Sequence, residues 1–334
     1  MHVMILGGTG SAGRALIAHL AGRSPAVDVS VVSRSASALP GTRRVLTGHF
    51  ADLIGSPGFR GQLATVDAVV HLADGLSILQ QPQHTSDAAE AGRLVESSER
   101  LAQAARSARV PLFIYLSSIK ALSDEEDSRV LVETSEPRST TLYGLSKLRL
   151  EDGIAGIFRG STTRYVTLRT PVIYGPRARG SMRRLLDHID TPLPLPLGGL
   201  ANRRSLLCVR NLASALDAVL CSGRDGPRGV FHVHDGPALS TTDIVTTLRL
   251  ALGRPARLFP ATAWGARAAR HSPLVGPSMR RLMGSLELSD VRFRHSFQWR
   301  PVSDTRTALA EMAASFAADN GRALPARFAM GKVA

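Results

Sequence analysis

Two short stretches hold residue types that can move a proton. In "TLYGLSK", residues 141–147, Tyr143 and Lys147 stand four residues apart, and in "YLSSIK" Ser117 and Ser118 close an apolar run. Residues i and i+4 share one face of a helix, so an ammonium there would lie beside a phenol. A neighbouring cation favours phenolate and lets the phenol exchange a proton near neutral pH. A serine hydroxyl opposite the phenol can hydrogen-bond a reacting carbonyl or alcohol. The lysine is informative because Lys120, Lys147 and Lys332 are the chain's only lysines; the rest of its 41 basic residues are arginine. Arginine supplies charge, but not a compact ammonium with three rotatable donors. Random placement of the chain's tyrosines and lysines would give roughly 0.04 such pairs at this spacing.

A second constellation lies at the N-terminus. "ILGGTGSAGRAL" follows an apolar run and opens an amphipathic stretch, with Gly7, Gly10 and Gly13 spaced as GxxGxxG and Ser11 and Ala12 between the last two. Such a loop brings backbone N–H groups to the positive end of a helix, where a pyrophosphate binds. The next apolar run ends in "VVSRS", with Ser33 and Arg34 where an NAD-binding strand would end in an acid. A guanidinium suits a 2'-phosphate, which favours NADP(H) and leaves NAD(H) possible.

The elements that must carry these groups alternate. Short β-branched or apolar runs at 2–6, 28–33, 43–47, 66–71, 111–117 and 164–169 predict strands. "SAGRALIAHLAGR", "DAAEAGRLVESSERLAQAARSA" and "YGLSKLRLEDGIAGIFRG" carry apolar residues at helical spacing, the last ending near Gly160. The alternation predicts an α/β fold, a doubly wound parallel Rossmann sheet over 1–170 to which 205–235 also contributes. After residue 170, "TPLPLPLGGLANRR" and shorter pieces predict a smaller, mixed α+β C-terminal substrate lobe over 171–320, with 321–334 as a tail. Ser117 and Ser118 would then lie at the C-terminal end of a strand, where open parallel sheets bind ligands.

Bulk properties exclude some classes. With 44% hydrophobic residues the chain can build a sizeable core, and its apolar runs are far shorter than a membrane-spanning helix needs. The N-terminus lacks the pattern of a signal peptide, and Cys208 and Cys221 fit neither disulfide nor metal spacing, so a cytoplasmic protein is expected. Net charge is +14, but the arginines are scattered and few aromatics lie between them, which argues against a nucleic-acid partner. His232 and His234 share one side of a predicted strand, but no third ligand is nearby, so no metal is expected. The acidic stretch "SDEEDSR" at 123–129 reads as a solvated loop.

The glycine loop, "YLSSIK" and "YGLSK" together resemble the extended short-chain dehydrogenase/reductases, in the NAD-dependent epimerase/dehydratase family. The resemblance implies that Ser118, Tyr143 and Lys147 are catalytic, with Lys147 also holding the nicotinamide ribose and Ser117 beside the substrate. By the same resemblance, Asp52 and Leu53 of "FADL" contact adenine, Leu72 and Ala73 of "DAVVHLAD" line the cofactor, and His71 is structural. "NRRSLLCVRNLASAL" resembles the substrate-phosphate segment, which assigns Arg204 to a UDP pyrophosphate. "LPLPLG", "NRRSL" and "LSSIKA" are most similar to UDP-N-acetylquinovosamine dehydrogenases, implying reduction of a 4-keto group on a nucleotide sugar; UDP-sugar 4-epimerisation is the alternative. A nucleotide-sensing or nucleic-acid-binding protein without catalysis is the alternative of another class, against which the Tyr/Lys pair argues. Dehydration is disfavoured, because Ile119 and Lys120 stand where dehydratases carry an Asp-Glu pair; separately, Leu94 stands where the family has a structural asparagine, a departure in its usual proton relay. A homodimer through helices around 90–108 and 143–159 is the family's expectation.

Overall fold

The structure is a computed structural model that describes residues 1–34, 39–73, 75, 87–124, 126–178, 180–260 and 283–322. Its centre is a seven-stranded sheet whose strands we label β1 His2–Leu6, β2 Asp28–Ser33, β3 Arg44–Thr47, β4 Ala68–His71, β5 Leu112–Ser118, β6 Arg164–Thr170 and β7 Gly229–His232. They lie side by side in the order 7-6-5-4-1-2-3, and every neighbouring pair is parallel. Reversal of strand order beside β1 opens the crevice in which such sheets bind dinucleotides.

These strands form because both faces of a parallel sheet are covered, so β-branched and aliphatic residues are favoured at every position. Along β1, Val3 and Ile5 face one core, with helices Ser11–Ala21, Val209–Cys221 and Val291–Phe297; Met4 and Leu6 face the other, with helices Asp87–Ser107 and Leu142–Phe158. Burying such side chains contributes about 1.5–3 kcal/mol each. The helix Val291–Phe297 joins the first core through Phe293 and Phe297, whose rings meet Phe231 of β7 and Trp299.

The lobe has its own core, built on helices Gly180–Ile189, Thr241–Ala251 and Thr305–Asp319 and on short parallel strand pairs, Val172–Tyr174 with Leu206–Cys208 and Leu195–Gly198 with Leu258–Pro260. One buried hub ties these pieces together. Asp235 accepts from Tyr174 Oη at 2.6 Å, Cys208 N at 2.8 Å and Asn211 Nδ2 at 2.7 Å, and Asn211 also donates to Ser303 O. Burial and the adjoining carboxylate push Tyr174 far above its ordinary pKa, so it stays a neutral donor. Among the described residues no helix is long and apolar enough to cross a membrane. The expected tail lies outside the described residues from 323 onward.

Candidate active site

The C-terminal ends of β1, β2, β4, β5 and β6 open into one cleft of about 700 Å3, walled on the far side by the lobe. Gly7 and Gly10, Arg34, Leu72 and Ala73, Ser117 and Ser118, Tyr143 and Lys147, and Arg204 all line it. Residues far apart in sequence are therefore brought to one surface.

The glycine loop has the form a pyrophosphate requires. Gly7 has φ +89°, and a Cβ there would lie 2.7 Å from that of Ala73; a Cβ on Gly13 would overlap the backbone of Gly7 and Gly8. Gly10 caps helix Ser11–Ala21 without a side-chain hydrogen bond, so the first-turn N–H groups have no side chain over them. Ser11, Ala12 and Gly13 are the first residues of that helix and do not line the cleft with Gly7 and Gly10. These features fit a dinucleotide.

At the far end of the cofactor crevice, Ser33 is buried at the tip of β2 and Arg34 is exposed beside it. The structure departs from expectation at "FADL": Asp52 is exposed, Leu53 lies over Gly48, and the cleft is lined there by Gly48, His49 and Phe50. The turn after β3, held by Gly48 N to Ser33 O at 2.9 Å, delivers those three residues and turns Asp52 outward.

The groups expected to handle a proton sit on β5 and helix Leu142–Phe158. Thr141 caps this helix by accepting from Gly144 N at 3.2 Å, and Asp124 gathers the segment before it, accepting from Ser139 Oγ at 2.6 Å, Thr140 N at 2.7 Å and the Thr141 hydroxyl. Burial alone would raise the Asp124 pKa, but the hydrogen bonds from Ser139, Thr141 and Thr140 outweigh it and hold the carboxyl below its ordinary range. Asp127 is buried and paired with Arg129 at 2.7 Å, so the expected solvated loop is anchored at Asp124 and Asp127, while Glu126 and Ser128 are exposed as expected. Asp124 fixes where the helix starts, and so where Tyr143 stands.

Tyr143 and Lys147 are both buried on the inward face. The Lys147 ammonium donates to Leu116 O at 3.2 Å and lies 5.0 Å from the Tyr115 ring centroid and 5.8 Å from that of Tyr143. Ser118 ends β5 half-buried, its oxygen accepting from Lys120 N at 3.2 Å while its proton can still be donated. Ser117 lines the cleft as expected but is also held from behind. Its hydroxyl donates to the buried carboxylate of Glu151, which also binds Arg169 Nε at 2.9 Å and Nη2 at 2.6 Å. Neither Glu151 nor Arg169 was singled out from the sequence, although Tyr143, Lys147 and Glu151 repeat every four residues on one helix face.

Arg204 is buried at the lobe end of the cleft, its backbone paired with Leu239 at 2.9 and 3.0 Å and its guanidinium donating to Gly284 O at 3.2 Å. Lys120 adds a fourth cationic side chain, and no carboxylate occurs among the described lining residues. Such a wall suits a polyanionic ligand. His234 lies 3.2 Å from Asp290 and bonds Gly236 O, while His232 is sealed in the sheet; among the described residues no group of three or more His, Cys, Asp or Glu could hold a metal. Leu94 is buried, and its side chain lies over Gly75.

A doubly wound parallel sheet with a glycine loop, and a Tyr/Lys pair sharing one cleft with a strand-end serine, define a dinucleotide-dependent enzyme of the extended short-chain dehydrogenase/reductase type. The model of the NAD dependent epimerase/dehydratase family matches residues 3–233, and the chain belongs to that family. It is similar to the UDP-glucose 4-epimerase of Vibrio cholerae, with 27% identity covering 96% of this chain and 97% of that protein. Among solved structures it resembles the UDP-N-acetylglucosamine 4-epimerase from Bacillus cereus, with TM-score 0.72 and 20% identity over 95% of this chain and 99% of that one. The UDP-glucuronic acid 4-epimerase from Bacillus cereus in complex with NAD is also similar, with TM-score 0.72 and 17% identity over 95% and 96%.

Proposed function

We propose that this chain interconverts the C4 epimers of a UDP-linked sugar. The observation that carries the proposal is the single cleft in which Ser118, Tyr143 and Lys147 lie between the glycine loop and Arg204. The 4-keto-sugar reductase reading rests on the same groups, but the UDP-glucose 4-epimerase and the two solved 4-epimerases named above match 95–96% of the chain, and that supports epimerisation instead.

When bound, the nicotinamide dinucleotide supplies a hydride acceptor that can return the hydride. Tyr143 takes the proton of the sugar 4-hydroxyl while hydride leaves C4, and gives it back when hydride arrives on the opposite face. Lys147 lies beside the Tyr143 ring and stays fixed by Leu116 O. Ser118 donates to the C4 oxygen and orients it. Arg204 pairs with the pyrophosphate, so the nucleotide stays anchored while the sugar presents either face. The proton balance closes within the site: what Tyr143 removes it restores. A reductase would instead draw a new proton each turnover.

On the cofactor, Ser33 and Arg34 with no acid at the end of β2 favour NADP(H), while NAD is named in a solved relative. Arg34→Asp should move the preference toward NAD by tenfold or more, measured as the ratio of the two affinities; an unchanged ratio refutes the NADP(H) preference. A homodimer and a cytoplasmic setting remain part of the proposal, with light scattering the check on the first. The deciding experiment incubates the purified protein with UDP-hexoses and follows the C4 epimers by NMR with absorbance at 340 nm. Epimers without net change in reduced cofactor support the reading. Stoichiometric NADPH consumption with a UDP-4-keto-6-deoxy sugar and no epimers would falsify it.

A further inference from the structure

The carboxylate of Glu151 sits two helical turns beyond Tyr143 with its side chain 2% exposed. It is held from two strands at once. Ser117 of β5 donates one hydrogen bond to it, and Arg169 of β6 a forked pair, with Nε 3.1 and 2.9 Å from the two oxygens and Nη2 2.6 Å from one. Ser117 and Arg169 are direct register partners in the sheet, and Thr170 Oγ1 donates to Ser117 O at 3.2 Å. Arg169 Nη1 also donates to Glu133 O at 3.2 Å, so the guanidinium is fixed on its other side.

Removing an ion pair from water costs several kcal/mol per ion, and apolar residues of similar volume often serve stability as well or better. Stability alone therefore does not account for a charged pair here. The pair adds direction. A carboxylate bound by a fork and a hydroxyl on adjacent strands stops the helix from rolling about its axis. A roll of about 10° displaces an atom about 6 Å from the axis by about 1 Å, and a 1 Å misplacement can lower a rate by about 100-fold. Eight residues along the helix, about 12 Å, separate Glu151 from Tyr143, which rules out direct proton transfer between them.

We propose that Glu151 is a positioning residue, acting with Ser117 and Arg169 to set the roll of helix Leu142–Phe158 so that Tyr143 and Lys147 face Ser118. This rests on the epimerase reading, in which Tyr143 and Lys147 handle the proton. The test is the double variant E151L/R169L, which removes both charges together, assayed beside wild type with a UDP-hexose. The expected result is kcat lower by ten- to a hundredfold, with KM and cofactor affinity within threefold and a melting temperature within a few degrees of wild type. A kcat within threefold of wild type, or equal losses in kcat and cofactor affinity, overturns the proposal. S117A keeps the ion pair and tests the same idea if the double variant does not fold: kcat should fall three- to tenfold at unchanged KM, and an unchanged kcat overturns it. Absence of epimerisation by wild type overturns the epimerase reading and this inference together, whereas an active wild type matched by an equally active double variant overturns only the inference.

Discussion

At the scale of single residues, the proposed reaction depends on one phenol. Tyr143 is buried, with the Lys147 ammonium 5.8 Å from its ring centroid, and has no neighbouring tyrosine on its helix to replace it. Tyr143→Phe keeps the ring and removes only the hydroxyl, so kcat should fall by about 100- to 10,000-fold while cofactor affinity stays within a few-fold. Full activity of that variant in a steady-state assay would refute the catalytic assignment. That Tyr143, Lys147 and Ser118 share one cleft was legible in the sequence, because proton chemistry restricts which residue types could serve and helical geometry restricts their spacing. Glu151 and Arg169 were not, because charged residues on a helix and a strand ordinarily face water, and only the register of β5 against β6 puts Ser117 beside Arg169. The Asp52 and Leu53 assignment came from a motif without its turn, and the turn after β3 points another pair of side chains at the cleft.

At the scale of elements, the strands were legible nearly to the residue, 28–33 against Asp28–Ser33 and 111–117 against Leu112–Ser118, since a strand buried on both faces reads as an unbroken apolar run. The strand pair Val172–Tyr174 with Leu206–Cys208 was less visible, because three-residue strands are defined by a distant partner and not by their own pattern. Helix starts matter most for function. The clamp of Asp124 on Ser139, Thr140 and Thr141 is a cap made from outside the helix, and Asp124→Ala should cost about 1–2 kcal/mol, seen as a lower melting temperature, and lower kcat more than it raises KM. Gly144, one residue after Tyr143, admits no side chain: a Cβ would overlap Ser139 and the backbone of Lys120. Gly144→Ala should therefore displace the helix start and lower both stability and turnover; a variant that melts with wild type would show that the contact yields.

At the scale of the whole molecule, pH should act through buried ionisable groups as well as through the site. His232 lies fully buried in β7, and burial, then the charge of Arg169, pushes its pKa down to about 3. A base whose folded pKa is depressed gives stability that is complete above its unfolded value near 6.5 and is lost as the pH falls toward 3. Asp127, held low chiefly by the hydrogen bond from Arg129, adds a second loss below about pH 4. Thermal melts should thus decline below about pH 6.5, and His232→Leu should flatten the upper part of that decline; an identical pH profile in the variant would remove His232 as its cause. The chain also passes repeatedly between the sheet's first core and the core of the lobe: from β6 to Tyr174, from Cys208 to Leu212, from Val233 to Ile244, and from Met283 through Phe293 and Trp299 back to Leu309. Two bodies sewn together along such a seam cannot swing apart as a hinged jaw does. Ligand should therefore enter by movement of loops at the rim, and small-angle scattering should record the same radius of gyration with and without a UDP-sugar.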